Sequence, residues 1–285
     1  MTRNRSTTAL SKWLLSCASL LILSACASPA QNARAEQMRE RTKIAQAKFE
    51  AYCKGAGEKI YRKVEDVEGV YLLKLRPEKP NFDNQFLMDD PYGRDGGGDS
   101  YISSFLRALI YHPERTVTEG SPRRIGYLYV EAIDPRDGGR YRYTGSWKDV
   151  LRTSDIMNGG DGKTKFYSNE FVLDKTPAKG PAPRYGVTYD DLSTHEDREY
   201  WIAGSSLRVI DLQTNEVIAE RIGYMWDPWQ GNNSGGRGPW LGAADYACPD
   251  FHRFKNAPYR QPGFSNQAQQ AEDFVEKILI PKVEK

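Results

Sequence analysis

The N-terminal segment of this 285-residue chain constrains its fold more than any other stretch, because it decides the compartment in which the chain folds. Arg3, Arg5 and Lys12 give the segment a positive start, and the run at 13–22 (WLLSCASLLI) is apolar. Small residues follow and lead to Cys26. This order is typical of a secretory signal, and the apolar run is too short for a stable membrane-spanning helix. We therefore expect the chain to fold outside the cytoplasm.

The four residues that end this segment, Leu23-Ser24-Ala25-Cys26, resemble the lipobox of bacterial lipoproteins. The resemblance implies that the Cys26 thiol is acylated, that the peptide is cut before it, and that the new N-terminus is acylated as well. Three acyl chains exceed the two hydrophobic signals that stable membrane anchoring needs. The alternative is an ordinary secreted protein that is cut near Ala25 or Ala27.

The lipoprotein resemblance divides the chain into three parts. Residues 1–25 are the signal peptide, 26–35 a small and polar tether, and 36–285 a single α+β domain that faces the periplasm. In enterobacteria-like sorting, an Asp after the lipidated Cys favours the inner membrane, whereas Ala27 follows it here. For a double-membraned source, the resemblance thus implies the inner leaflet of the outer membrane.

Composition argues against a nucleic-acid partner. Removal of three basic residues with the signal leaves 37 of the 40 basic residues against 38 acidic ones, so the net charge falls from +2 to −1. Nucleic-acid binding needs a concentrated basic face, which a near-neutral body does not indicate. The expected partners are the membrane, through the acyl chains, and a protein in the periplasm.

Two of the four cysteines remain once the signal and the lipidation site are set aside. Cys53 and Cys248 are an even pair in an oxidising compartment, which predicts one disulfide. The bond would join the end of the first helix to a loop near the C-terminus. Two separate buried thiols are the alternative.

Residue patterns predict an α+β fold, with a mainly antiparallel sheet on which an N-terminal and a C-terminal helix pack. The helices are expected at 36–54 and 266–280, from their apolar periodicity and their composition. The clearest unit is a hairpin over 199–226 with its turn at 213–216, which we place in the middle of the sheet because both faces carry apolar residues. Further strands are expected at 70–75, 125–132, 140–145 and 165–173, with a polar break at 146–164.

No stretch carries a catalytic or metal-binding signature. The histidines, His112, His195 and His252, lack the two-His spacing of zinc hydrolases, and no cysteine pair has zinc-finger spacing. The Gly-x-Ser-x-Gly pattern of serine hydrolases is absent from the sequence. We therefore expect no catalytic residue, no metal and no cofactor. An envelope hydrolase that uses His195, Asp197 and Ser234 is the least favoured alternative.

Two loops are the predicted partner-binding surfaces, because Trp, Tyr and Arg are the residues that anchor protein interfaces. One is the glycine-rich loop 227–242 and the other is the acidic loop Asp89–Asp99. The candidate residues are Trp226, Trp229, Asn232, Asn233, Arg237 and Trp240 in or beside the first loop, and Tyr92 and Arg94 in the second. The alternative for the tryptophans is packing at the edge of the core. Calcium binding by the acidic loop is a less favoured reading than a flexible turn.

Three further strings, at 67–71, 89–95 and 198–204, resemble those of proteobacterial lipoproteins. A weaker resemblance is to lipoproteins that act as immunity partners of type VI secretion lipase effectors, which are anchored, periplasm-facing and non-catalytic. These resemblances imply a lipid-anchored, non-catalytic binding protein of the cell envelope, in the form of an immunity-type inhibitor of a secreted toxin. A structural or assembly lipoprotein that uses the same surface is the alternative.

Replacement of Cys26 by Ser tests the anchor. The wild-type protein is expected in the membrane fraction, without residues 1–25 and with acyl mass on Cys26, whereas C26S is expected to leave the membranes because it has no acylated thiol. Fractionation and mass spectrometry measure both properties. Recovery of the native protein with Met1 intact and Cys26 unmodified would contradict the prediction.

Overall fold

The computed structural model describes residues 29–78, 85–87, 90–93, 96–107, 126–231, 240, 243–251, 267 and 270–282. The chain divides into two units, Met1–Ile44 and Ala45–Lys285. In the first unit, the described residues form the start of a helix and bury no side chain. The second unit contains the sheet, the core and the other helices.

Four α-helices occur among the described residues. They are α1 (Pro29–Cys53), α2 (Asp99–Leu106), α3 (His195–Glu199) and α4 (Gln270–Glu276). The first helix begins inside the expected tether and ends one residue before the predicted end at 54. Over the described ranges, no helix is both long and apolar enough to cross a membrane.

Eleven strands are found in the described part of the chain. They are β1 (Gly57–Ile60), β2 (Val64–Val67), β3 (Gly69–Leu72), β4 (Tyr129–Ile133), β5 (Arg140–Thr153), β6 (Lys165–Pro177), β7 (Tyr185–Asp191), β8 (Ile202–Asp211), β9 (Glu216–Trp226), β10 (Ala247–Cys248) and β11 (Leu279–Pro281). Nine of them form one sheet in the order β1-β9-β8-β7-β3-β4-β5-β6, with β10 also paired to β9. β2 and β11 form a separate parallel pair.

The large sheet is antiparallel except around β3. This strand runs parallel to β4 on one side and to β7 on the other. Parallel neighbours need a crossover connection, and the chain between β3 and β4 supplies one that contains α2. Gly69 leaves no room for a side chain, because a Cβ there would lie 2.4 Å from the Tyr129 ring.

The main core combines buried side chains of the sheet with those of α2 and α4. Phe105 of α2 and Phe274 of α4 belong to the same buried cluster as Leu207 of the sheet. The last turns of α1 pack on a second cluster, where Ala45 is buried with Trp226. These contacts confirm the predicted α+β fold, with a mainly antiparallel sheet and a helix from each end of the chain packed on it.

The β8–β9 hairpin is confirmed and lies in the interior of the sheet. Leu207, Val209 and Asp211 are buried on one face, while Arg208 and Ile210 are half-buried. The first strand begins later than predicted because α3 takes up its expected start. Thr194 caps α3, and its hydroxyl accepts a hydrogen bond from the backbone of the third helical residue.

Two other predictions of extent are wrong. β5 continues through 146–153, a range predicted to be a polar break, because each of its residues pairs with one of β6. The C-terminal helix is shorter than predicted, since Leu279 leaves the helix and pairs with Val64 of β2. In both places tertiary pairing overrides the local pattern.

The predicted disulfide is confirmed. Cys53, the last residue of α1, is bonded to Cys248 of β10, and their Cα atoms lie 5.6 Å apart. Cys248 pairs with Tyr224 of β9, and the Tyr224 ring stacks on Tyr52 at 4.7 Å. The bond therefore fixes the end of α1 beside β9.

Replacement of Cys53 and Cys248 together by Ala is expected to lower the free energy of unfolding by about 5 kcal/mol. The bond closes a loop of 195 positions, and loop closure restricts the unfolded chain. Guanidinium unfolding of the variant and of the oxidised protein measures the difference, and the reduced wild type should match the variant. Equal midpoints for all three would contradict the prediction.

Candidate functional site

Three of the four candidate partner-binding residues that the structure describes are inside the protein. Tyr92, Trp226 and Trp240 are each no more than 5% exposed, whereas Trp229 is 46% exposed. The other candidates lie outside the described residues, as does the lipidation site; they are Arg94, Asn232, Asn233, Arg237 and Cys26.

The buried rings pack against one another and against the sheet. Trp240 contacts Trp201 with 4.9 Å between ring centroids, and Tyr92 contacts Phe251 at 4.8 Å. Trp226 belongs to the cluster beneath the end of α1. Trp226 and Trp240 therefore pack at the edge of the core, which is the alternative that the sequence left open.

His195 and Asp197, two residues of the hydrolase alternative, make contacts within the fold. His195 is exposed and stacks on Phe86 at 4.6 Å. Asp197 is buried and accepts hydrogen bonds from the Thr194 backbone at 2.9 Å and from the Tyr52 hydroxyl at 2.8 Å. Burial opposes ionisation of Asp197, but these hydrogen bonds hold its pKa below the ordinary value. Ser234 lies outside the described residues.

No group of three His, Cys, Asp or Glu side chains is placed to hold a metal ion, as far as the described residues extend.

A cleft of about 470 Å³ opens at the N-terminal end of α2, beside the turn between β4 and β5. Its buried carboxylate, Asp134, accepts hydrogen bonds from Arg136 and Lys175, which hold its pKa well below the ordinary value. Asp134 of the cleft is thus paired with cations of the protein itself.

The most distinctive surface feature is a two-stranded arm formed by β5 and β6. Residues 141–153 pair with 165–177 without a break in register, but β4 pairs only with 140–143. Beyond Tyr143, among the described strands, the two strands of the arm have only each other as partners. Ten residues at about 3.4 Å each make this part roughly 34 Å long. We call residues 144–174 the arm.

One face of the arm carries two apolar pairs, and the hydrogen-bonded side chains of Asp149 and Asn169 lie between them. Residues directly opposite in an antiparallel pair share a face, so Trp147 lies beside Phe171, and Leu151 beside Tyr167. The Trp147 and Phe171 rings are in edge contact at 5.7 Å. Exposure rises outward, from 38% at Trp147 to 51% at Leu151 and 72% at Tyr167. We call these four side chains the apolar face.

The opposite face of the arm, which we call the polar face, carries two ion pairs beside Val150, Phe166 and Val172. Lys148 forms an ion pair with Asp174 at 3.2 Å, and Arg152 forms one with Glu170. The hydrogen bond from Arg152 holds the pKa of Glu170 below its ordinary value. No described element covers the outer part of the apolar face.

The tip of the arm is a compact turn in which both acidic groups point inward. The Asp155 carboxylate accepts from the Met157 backbone, and the Asp161 carboxylate accepts from the backbone N–H groups of Lys163 and Thr164 at 2.8 and 2.7 Å. The hydrogen bonds to Asp161, of which the Ser154 hydroxyl gives the largest effect, lower its pKa well below the ordinary value. The same turn leaves Met157 93% exposed.

The sequence interpretation missed the arm, although it placed a strand at 165–173. A glycine-rich turn at 158–162 (NGGDG) between runs that contain Trp147 and Leu151 on one side and Phe166 and Tyr167 on the other is a hairpin signal. The charged residues between them, which form the polar face, obscured the first strand. Cross-strand ion pairs such as these cannot be recognised before the register is known.

Replacement of Asp161 by Ala is expected to loosen the tip without changing the stability of the whole protein. The variant removes the acceptor of the two backbone hydrogen bonds at Lys163 and Thr164, so exchange of their amide hydrogens should accelerate about tenfold or more. Hydrogen exchange measures this, and Asp149→Ala, on the stem of the arm, is the control. Unchanged exchange at 163 and 164 would contradict the prediction.

Comparisons with known proteins give no match for this chain. No protein-family model matches the chain, and neither a curated protein nor a solved structure matches it. The site is therefore interpreted from its own residues.

Proposed function

We propose that the protein is a lipid-anchored, non-catalytic binding protein of the cell envelope, and that it captures a protein partner with the apolar face of the arm. The anchor rests on the signal and on the lipobox resemblance at Cys26. The exposed apolar face is the observation that carries the binding function. The first candidate for the partner is a secreted toxin that the protein inhibits.

The energetics of the apolar face favour a bound partner. Full burial of a large apolar side chain contributes about 1.5–3 kcal/mol, and Trp147, Leu151 and Tyr167 retain much of their exposure. Aromatic side chains also dominate the binding energy of measured interfaces. A partner that covers these three neighbours would gain several kilocalories per mole from a small contact.

The construction of the arm supports the same proposal. A two-stranded ribbon alone is marginally stable in water, and a third layer or strand is normally needed. Phe171 at the base of the apolar face is half-buried and packs against the core, so the arm is fixed at one end. A partner on the apolar face would supply the missing layer over the outer end.

Capture by the arm can be tested with charge substitutions on its two faces. Leu151→Asp with Tyr167→Asp should reduce the partner recovered from solubilised membranes about thirtyfold or more, because loss of a central anchor costs about 2 kcal/mol or more. Ser146→Asp with Ser168→Asp adds the same two charges to the polar face and is the matched control. Quantitative mass spectrometry of the co-purified proteins measures the loss.

Equal recovery of every co-purified protein by the two double variants would contradict the proposed binding surface. The identity of the lost protein then separates the two candidate roles. A secreted toxin, together with greater killing of a deletion strain by siblings that carry it, supports the inhibitor. Subunits of an envelope machine, with unchanged killing, support the structural or assembly lipoprotein.

A further inference from the structure

We infer that two copies of this chain pair through the edge of β6 that no described strand covers, in antiparallel orientation, with Asn169 of both copies facing each other on the two-fold axis. The interaction uses the backbone edge of the arm and leaves its apolar face open. It therefore does not depend on the proposed partner.

The alternation of hydrogen bonds between β5 and β6 identifies the residues of β6 whose backbone N–H and C=O groups point to the open edge. At the outer end of the arm the Ser154 N–H donates to the Thr164 carbonyl at 2.8 Å, and at the base the Ala178 N–H donates to the Arg140 carbonyl at 2.9 Å. In an antiparallel pair, hydrogen-bonded residues alternate with residues whose N–H and C=O point away. The even-numbered residues of β6 therefore bond to β5, and the odd-numbered ones, among them Asn169, point to the open edge.

The centre of this edge has little protection against strand pairing among the described residues. Exposed edges are normally blocked by charged side chains, especially Lys, by Pro or by a bulge. β6 has no Pro before Pro177, and its register with β5 is regular over all 13 residues. Its only lysines, Lys165 and Lys175, lie near the two ends. No described strand pairs with the outward backbone groups of the central stretch, 166–173, which a second extended strand could bind in place of water.

One register of this strand with a second copy of itself is self-complementary. With Asn169 on the axis, Tyr167 of each copy lies opposite Phe171 of the other, on the apolar side of the arm. On the polar side, Phe166 lies opposite Val172. Aromatic and β-branched pairs of this kind stabilise sheets, and the two-fold axis makes each pair occur twice.

Two other registers are disfavoured by the acidic residues. With residue 170 on the axis, two copies of Glu170 would face each other, and with residue 172 on the axis Glu170 would face Asp174. Like charges directly opposite are destabilising. In the register with Asn169 on the axis, Glu170 lies opposite Ser168, and Asp174 lies opposite Thr164. The register with Asn169 on the axis thus avoids both like-charge contacts.

The side chain at the axis suits a reciprocal contact. The Asn169 amide nitrogen donates to the Asp149 carboxylate at 2.9 Å, which uses one of its two hydrogens. The second hydrogen and the amide oxygen are the donor and the acceptor that a facing Asn169 needs. Asn169 is exposed, so this pairing requires no change in the fold.

Cysteine cross-linking of the full-length protein in envelope membranes tests the register. Two residues that face each other as a hydrogen-bonded pair have Cα atoms about 5.5 Å apart, which is within disulfide range. We expect Asn169→Cys to form a covalent dimer on oxidation. Tyr167→Cys is the matched control, because residues 167 of the two copies would be about 14 Å apart. No cross-link at 169, or equal yields at both positions, would overturn the inference.

A charge substitution tests the pairing without a cross-link. Asn169→Lys places two like charges face to face on the axis, yet keeps a partner for Asp149 within each copy. Leu151→Lys adds the same charge to the neighbouring strand, two residues further out along the arm and away from the edge. By sedimentation of the full-length protein in detergent, the wild type and Leu151→Lys should have two-copy mass, and Asn169→Lys one-copy mass.

A single-copy wild type, or a two-copy Asn169→Lys variant, would overturn the inference. Partner recovery by the same variants separates this inference from the proposed function. Leu151→Lys, which charges the apolar face one strand away from the edge, should lose the partner and keep two-copy mass.

Discussion

The large sheet depends on four residues, because β3 is the strand on which its two antiparallel parts meet. One part runs from β1 through β9 and β8 to β7, and the other from β4 through β5 to β6. Val70 and Leu72 are buried on β3, and Gly69 allows the Tyr129 ring to lie against the backbone. If β3 were displaced, the arm would lose its attachment to the rest of the sheet. The parallel pairing that it makes is the less stable kind per residue, so the buried side chains around it carry much of the stabilisation.

A buried polar network ties the segment after β3 to the sheet. The Asp90 carboxylate accepts hydrogen bonds from Arg76 at 3.2 Å and from the Ser205 hydroxyl of β8 at 2.7 Å. Gly223 of β9 leaves space for the Tyr92 ring, since a Cβ there would lie 2.1 Å from a ring atom. A charge buried in this way is retained only when it is paired. The acidic loop predicted to be a binding surface therefore has, in its described residues, a role in packing.

The sequence was informative where structure follows from local pattern. The β8–β9 hairpin was predictable because its apolar residues alternate on both sides of a polar turn, and the disulfide because an exported chain with two remaining cysteines tends to pair them. The burial of Tyr92 was not predictable, since it depends on Gly223, which is 131 positions away. The arm was missed for a related reason. Lys148 and Arg152 looked like solvated breaks until the register with β6 placed each beside a carboxylate.

The position of the disulfide has a mechanical consequence. Tension on the N-terminal end of the chain would pass along α1 to Cys53, where it divides between the main chain leading to β1 and the covalent bond to β10. Both strands are paired to β9, at residues 219–222 and at 224–225. A pulling force is thus shared between two adjacent points of one long strand, and β1 would not have to peel away before the second attachment resisted. A protein held to a surface by one end would gain resistance to shear from this arrangement, with no increase in the size of its core.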